Sequence, residues 1–137
     1  MPFFKLILAL LLPIATSATS AFLTHGELHT AVRHFLEGTD AQKAAARTKY
    51  GSVMNDWDVS QITDFSRIFA NLNTAVPLVD KWDVSKGTTF KHMFDMARFG
   101  FNMDLSSWDV SRSTDMNCMF CDSRDWNQDV GHWDGML

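Results

Sequence analysis

The stretch WDVS stands three times in this chain, at Trp57–Ser60, Trp82–Ser85 and Trp108–Ser111, and a broken copy, WDG, begins at Trp133. Successive tryptophans are therefore 25, 26 and 25 residues apart. Other positions keep the same phase. Val59, Val84 and Val110 follow the tryptophans, as do Thr63, Thr88 and Thr114 and then Phe65, Phe90 and Met116. The pairs Ile68–Phe69, Met93–Phe94 and Met119–Phe120 come next, and Val79, Leu105 and Val130 precede the following tryptophan. Self-similarity at a fixed period of this length means stacked units. A single unit cannot bury its apolar face, and neighbours bury theirs together.

Two apolar periods lie inside each unit. VDKWDV, LSSWDV and VGHWDG read as L-x-x-L-x-L, in which the L-x-L part is expected to be a short strand with its middle residue facing outward. Phe65, Ile68 and Phe69 have i, i+3, i+4 spacing and predict a short helix. The expected fold class is α/β: a short leucine-rich-repeat-like solenoid of about three to three-and-a-half strand–short-helix units. The units lie near residues 57–81, 82–107 and 108–132, with a partial one from 133, inside a repeat region of 53–137. Trp82, Val84, Phe94, Leu105, Trp108 and Phe120 are expected to form a buried ladder.

Residues 22–52 predict a helical N-terminal cap. Leu28, Val32, Phe35 and Leu36 share one helical face, and Thr24 with Glu27 has the capping-box spacing. Gly38 is a natural stop, and Thr39 or Asp40 can cap a second helix ending at Gly51. Before this, residues 1–21 have the form of a secretory signal: Lys5, an apolar run from Leu6 to Ala15, then small residues. The run is short for a bilayer span, which takes about 20 residues. Cleavage is expected after Ser20 or Ala21; an uncleaved segment would act as a membrane anchor.

The whole chain carries a net charge of −4. Loss of the leader removes Lys5 and leaves 11 basic against 16 acidic side chains, a net −5. This balance argues against a nucleic-acid partner, which needs a basic stripe, and against adhesion to anionic lipid.

WDVSQITDFSRIF, WDVSKGTTFKHMF and FNMDLSSWDVSRSTDMNCMF resemble the repeats of BspA-like leucine-rich-repeat surface proteins, whose unit has the form F-N-x-D-L-S-x-W-D-V-S-x-V-T-D-M-x-x-M-F. The resemblance runs from Met54 to the C-terminus. The first unit departs from it, with AVPLVDKW in place of F-N-x-D-L-S-x-W. The resemblance implies a secreted or cell-surface location and an interaction role. It implies no catalytic residues and no cofactor.

Three constellations invite a chemical reading. Asp58, Asp83, Asp109 and Asp134 each follow a repeat tryptophan and would form a ladder of carboxylates on an exposed face. The ladder is either a hard-cation site or a set of turn acceptors bonded to Ser60, Ser85 and Ser111; the turn reading is preferred, and no metal site is assigned. His25 and His29 in HGELH share a helix face, but the zinc-protease motif needs glutamate beside the first histidine, where Gly26 stands. Cys118 and Cys121 in CMFC are the two cysteines, and the choice between a local disulfide and two free thiols stays open. No nucleophile elbow or phosphate loop is present.

These features predict a non-enzymatic interaction module for an extracellular protein or glycan. The alternatives are a structural fragment of a larger surface assembly and, with less support, a calcium-binding or hydrolytic extracellular protein. No amphipathic cap follows Trp133, so the chain is expected to be a piece of a longer repeat protein or to associate end to end.

Overall fold

The computed structural model describes residues 19–133. Most of the expected signal segment, and Asp134, therefore lie outside the described residues. Two α-helices come first. Helix α1 spans His25–Glu37 and helix α2 spans Asp40–Tyr50. The Thr24 hydroxyl accepts the Glu27 N–H, while the Glu27 side chain reaches back to the Leu23 N–H. Thr39 and Gln42 form a reciprocal capping box at α2. The α2 end turns off at Gly51, whose φ of 95° is open to glycine and costly for other residues. Leu28, Ala31 and Val32 form the buried face of α1.

Glu27 also ties the helices to each other. Its Oε1 accepts from Tyr50 Oη at 2.7 Å and from Lys49 Nζ at 3.0 Å. These bonds, Tyr50 first, hold its carboxyl below the usual glutamate range. A carboxylate with a depressed folded pKa contributes stability that is complete above its unfolded value and lost as pH falls through the folded one. Acid titration of unfolding stability should therefore show a loss below the ordinary glutamate value of 4.5 that is smaller in Glu27→Gln. Parallel acid profiles for the two proteins would show that the network adds nothing.

After α2 the chain enters the repeats, and here the sequence expectation is corrected. Among the described residues there is no strand, and none of the repeats contains an α-helix. The strand–helix leucine-rich-repeat solenoid is not what forms. Each repeat is a succession of tight turns. At the expected strands, the Trp82 N–H donates to Val79 O and the Trp108 N–H to Leu105 O, both at 3.0 Å, which folds L-x-x-L into a turn. Two residues on, Asp83 and Asp109 accept from the N–H of Ser85 and Ser111. Gly87 and Ser113 then close back on Val84 and Val110. So many local bonds leave only isolated parallel bridges, Asp64 to Thr89 and Thr89 to Asp115.

The expected helices are also turns. Met93 donates to Phe90 O, Asp95 to His92 O and Ala97 to Phe94 O, each an i to i+3 closure. Left-handed residues interrupt any helical run: Arg67, His92 and Cys118 at φ of 58°, 55° and 54°, and Asn71, Met96 and Asp122 at 53°, 57° and 55°. Such residues are uncommon outside glycine, and surrounding contacts must hold them.

The remaining amides hold the repeats side by side. Phe65, Arg67, Phe69 and Asn71 donate to the carbonyls of Thr89, Lys91, Met93 and Asp95 at 2.9–3.0 Å. One repeat later, Phe90, His92, Phe94 and Met96 donate to Asp115, Asn117, Met119 and Cys121 at 2.7–3.0 Å. In both rows the second and fourth donors are the left-handed residues. Threonines run the other way: Thr88 donates through its N–H and hydroxyl to Thr63 O, and Thr114 does so to Thr88 O.

Behind these rows the apolar residues stack in register. Phe65 lies on Phe90 and Phe69 on Phe94, with centroids 5.3 and 5.5 Å apart and planes within 4° and 3°. Phe94 continues onto Phe120 at 5.6 Å. Trp82, Val84, Phe94, Leu105 and Trp108 are buried, whereas Phe120 is only partly so. The indole N–H groups also step along the stack: Trp57 donates to Gly51 O, Trp82 to Met54 O and Trp108 to Val79 O. The series breaks at Trp133, whose buried Nε1 has no partner among the described residues.

Candidate binding surfaces

Asp58, Asp83 and Asp109 are exposed, each between a buried tryptophan and a buried valine. Their carboxylates are occupied locally. Asp58 Oδ1 accepts the Ser60 N–H and hydroxyl at 3.1 and 2.7 Å, Asp83 Oδ1 accepts both Ser85 donors at 3.1 and 2.6 Å, and Asp109 accepts the Ser111 N–H at 3.0 Å. The serine bonds hold Asp83 and Asp109 below the usual aspartate range. Among the described residues no group of three or more histidine, cysteine, aspartate or glutamate side chains is placed to hold a metal ion.

His25 and His29 lie on one face of α1 with rings stacked at 5.7 Å. His25 is more than helix surface: its Nδ1 donates to the Asp64 carbonyl at 3.1 Å. Arg33, two turns further on, donates to the Ala70 carbonyl and pairs with Glu37, which accepts the Asn73 N–H at 2.8 Å. Asp64 and Ala70 are the first-repeat counterparts of Thr89 and Asp95. Helix α1 thus covers the carbonyl row of the first repeat with its own donors, a role no local motif signals.

Cys118 and Cys121 are joined by a disulfide across the turn of the third repeat. The equivalent turn of the second repeat is closed by His92 Nδ1 against Asp95 Oδ2, 2.9 Å apart. The two repeats close the same turn, one covalently and one by a polar pair.

The surface feature that sequence reading missed is apolar. Val53 and Leu78 are 54% and 64% exposed. Together with Phe35, Met54 and Pro77 they line a recess of about 420 Å³ where α1 meets the first repeat. Leu78 also borders a second recess of about 460 Å³, over Met103 and beside Asp80 and Asp104. Asp56 and Lys81 stand on the rim of the first, 3.9 Å apart. Ser106 holds Asp104 below the usual range through its N–H. Adjacent apolar side chains left in water beside fixed carboxylates form a surface suited to binding.

A sequence model for the family described as "Mycoplasma protein of unknown function, DUF285" matches residues 39–136. The chain belongs to this family. The match begins at Thr39, the cap of α2, so α1 precedes the DUF285 segment. The assignment to BspA-like leucine-rich-repeat proteins is corrected accordingly: the matching family is DUF285, and the repeats lack the strand–helix unit that a leucine-rich repeat requires. No curated protein and no solved structure matches the chain significantly.

Proposed function

We propose that this DUF285 chain is a non-catalytic interaction module of the cell exterior that binds an extracellular protein or glycan. The observation that carries the reading is the pair of recesses joined at Leu78. Val53 and Leu78 offer apolar contact area, and Asp56, Asp80 and Asp104 border it with acceptors. A partner presenting an apolar group flanked by donors fits that chemistry. The extracellular setting is supported by the signal-like composition of residues 1–21 and by the Cys118–Cys121 disulfide, a bond that persists in oxidising compartments. No helix among the described residues is long and apolar enough to cross a membrane.

The test compares the intact chain with Val53→Asp/Leu78→Asp for capture of material from the extracellular fraction. Both positions are exposed, so the variant should melt like the parent. Its binding to the captured partner is expected to fall at least tenfold, the weight of a central apolar anchor of about 1.4 kcal/mol or more. Undiminished capture by a folded double variant would overturn the assignment of this surface.

A further inference from the structure

Arg98 and Arg124 stand at the same place in the second and third repeats, where the first has Asn73. Stacking therefore sets two guanidiniums on adjacent repeats, and they line one recess of about 300 Å³. Like charges so placed repel unless an anion offsets them, and among the described residues neither arginine forms an ion pair. The third side chain of the recess is Asp125, whose Oδ2 accepts the Gly100 N–H from the second repeat at 3.0 Å. Arg98 also borders a neighbouring recess of about 220 Å³, with Asn71, Asn73 and Phe99. Phe99 is 61% exposed and left-handed at φ of 63°, and Gly100 follows at 74°. A bulky residue in this region is an outlier, and such strain gathers at ligand clamps. The counterparts Thr74 and Asp125 are not left-handed. The second repeat alone holds a strained backbone that keeps a phenyl ring in water, next to the paired guanidiniums.

We propose that this junction binds an acidic sugar, a uronate unit of a glycan. Its carboxylate accepts from Arg98 and Arg124, whose forked donors match a carboxylate in two-pronged contact. Its ring lies on the face of Phe99, and its hydroxyls donate to Asp125. Asp125 selects this occupant over simpler anions. A phosphate or sulfate would bring only acceptors against that carboxylate, whereas a uronate carries donors and an anion on one ring. An extended polyanion or an anionic bilayer would also meet a chain of net charge −4. Both walls of the recess belong to described repeats, so the site depends on nothing beyond residue 133. It shares no lining residue with the two recesses joined at Leu78, so the two proposals fail independently.

The experiment is a backbone NMR titration of the full chain with trigalacturonate, neutral maltotriose and inorganic phosphate. The amide signals of Arg98, Phe99, Gly100 and Arg124 should shift saturably with trigalacturonate, at a Kd of about 1 mM or below. Maltotriose and phosphate should bind at least tenfold more weakly. Arg98→Gln/Arg124→Gln should weaken trigalacturonate binding at least tenfold and Phe99→Ala severalfold. These positions are exposed, so both variants should keep the rest of the parent's spectrum. Val53→Asp/Leu78→Asp should bind trigalacturonate as the parent does. Four results would each overturn the proposal: no saturable shift at millimolar trigalacturonate; equal affinity for maltotriose; equal affinity for phosphate, which would mark a simple anion site; or undiminished binding by the folded glutamine variant.

Discussion

Phe94→Ala should lower the unfolding free energy by about 3–5 kcal/mol, the usual cost of truncating a fully buried phenylalanine. The ring is wholly inaccessible. It lies between the second repeat's neighbours on both sides, stacked on Phe69 at 5.5 Å, Phe101 at 4.6 Å and Phe120 at 5.6 Å, with Trp108 tilted against it at 6.1 Å. The hole would open at the centre of the stack. The backbone around it is fixed by bonds to both flanking repeats, since Phe69 donates to Met93 O and Phe94 donates to Met119 O. Collapse into the space is therefore hindered, which favours the upper part of the range. A small domain has a total stability of about 5–15 kcal/mol, so the loss removes a large fraction of it. Urea titration measures the change, and a loss under about 1 kcal/mol would mean that the aromatic stack contributes little.

Gly87→Ala should cost about 1–3 kcal/mol through overpacking. A β-carbon there would stand 2.4 Å from Phe90 Cζ, 2.8 Å from Phe90 Cε2 and 2.9 Å from Val84 O. The Phe90 ring is buried between Phe65 and Trp108, so it has no free direction in which to withdraw. The carbonyl is backbone and accepts the Gly87 N–H at 2.7 Å. The corresponding position holds Ile62 in the first repeat and Ser113 in the third, so the demand for glycine is a property of the second repeat's packing and not of the turn. Gly87→Ala with Phe90→Leu should recover part of the loss, because the shorter side chain vacates the contested space. A melting temperature for Gly87→Ala equal to that of the parent would show that Phe90 can move.

The sequence by itself determined the repeat period, the residues that face the core and the two helices. These are local or periodic properties. Thr24 and Thr39 cap the helices through neighbours three residues away, and a 25- or 26-residue recurrence of tryptophan, valine and phenylalanine is legible whatever backbone carries it. Asp58, Asp83 and Asp109 are exposed, each between two buried residues, but on turns and not on the sheet face the sequence suggested, and the serine two positions on supplies the turn donors. The tertiary structure decided the rest. Spacing of i, i+3, i+4 is satisfied by a helix and equally by consecutive i to i+3 turns. The two differ in whether alternate amides bond within the segment or across to the next repeat. That choice depends on a neighbour about 25 residues away, so no window around Phe65–Phe69 contains it. None of the left-handed positions in these rows is glycine, and Arg67, Met96 and Cys118 are not of the Asn, Asp and His types that enter this region more readily; inter-repeat bonds hold Arg67, Asn71, His92 and Met96 there. The contact of His25 and Arg33 with Asp64 O and Ala70 O, and the recess at Val53 and Leu78, arise only when α1 is laid against the first repeat. They are products of assembly between segments, which a one-dimensional pattern does not encode.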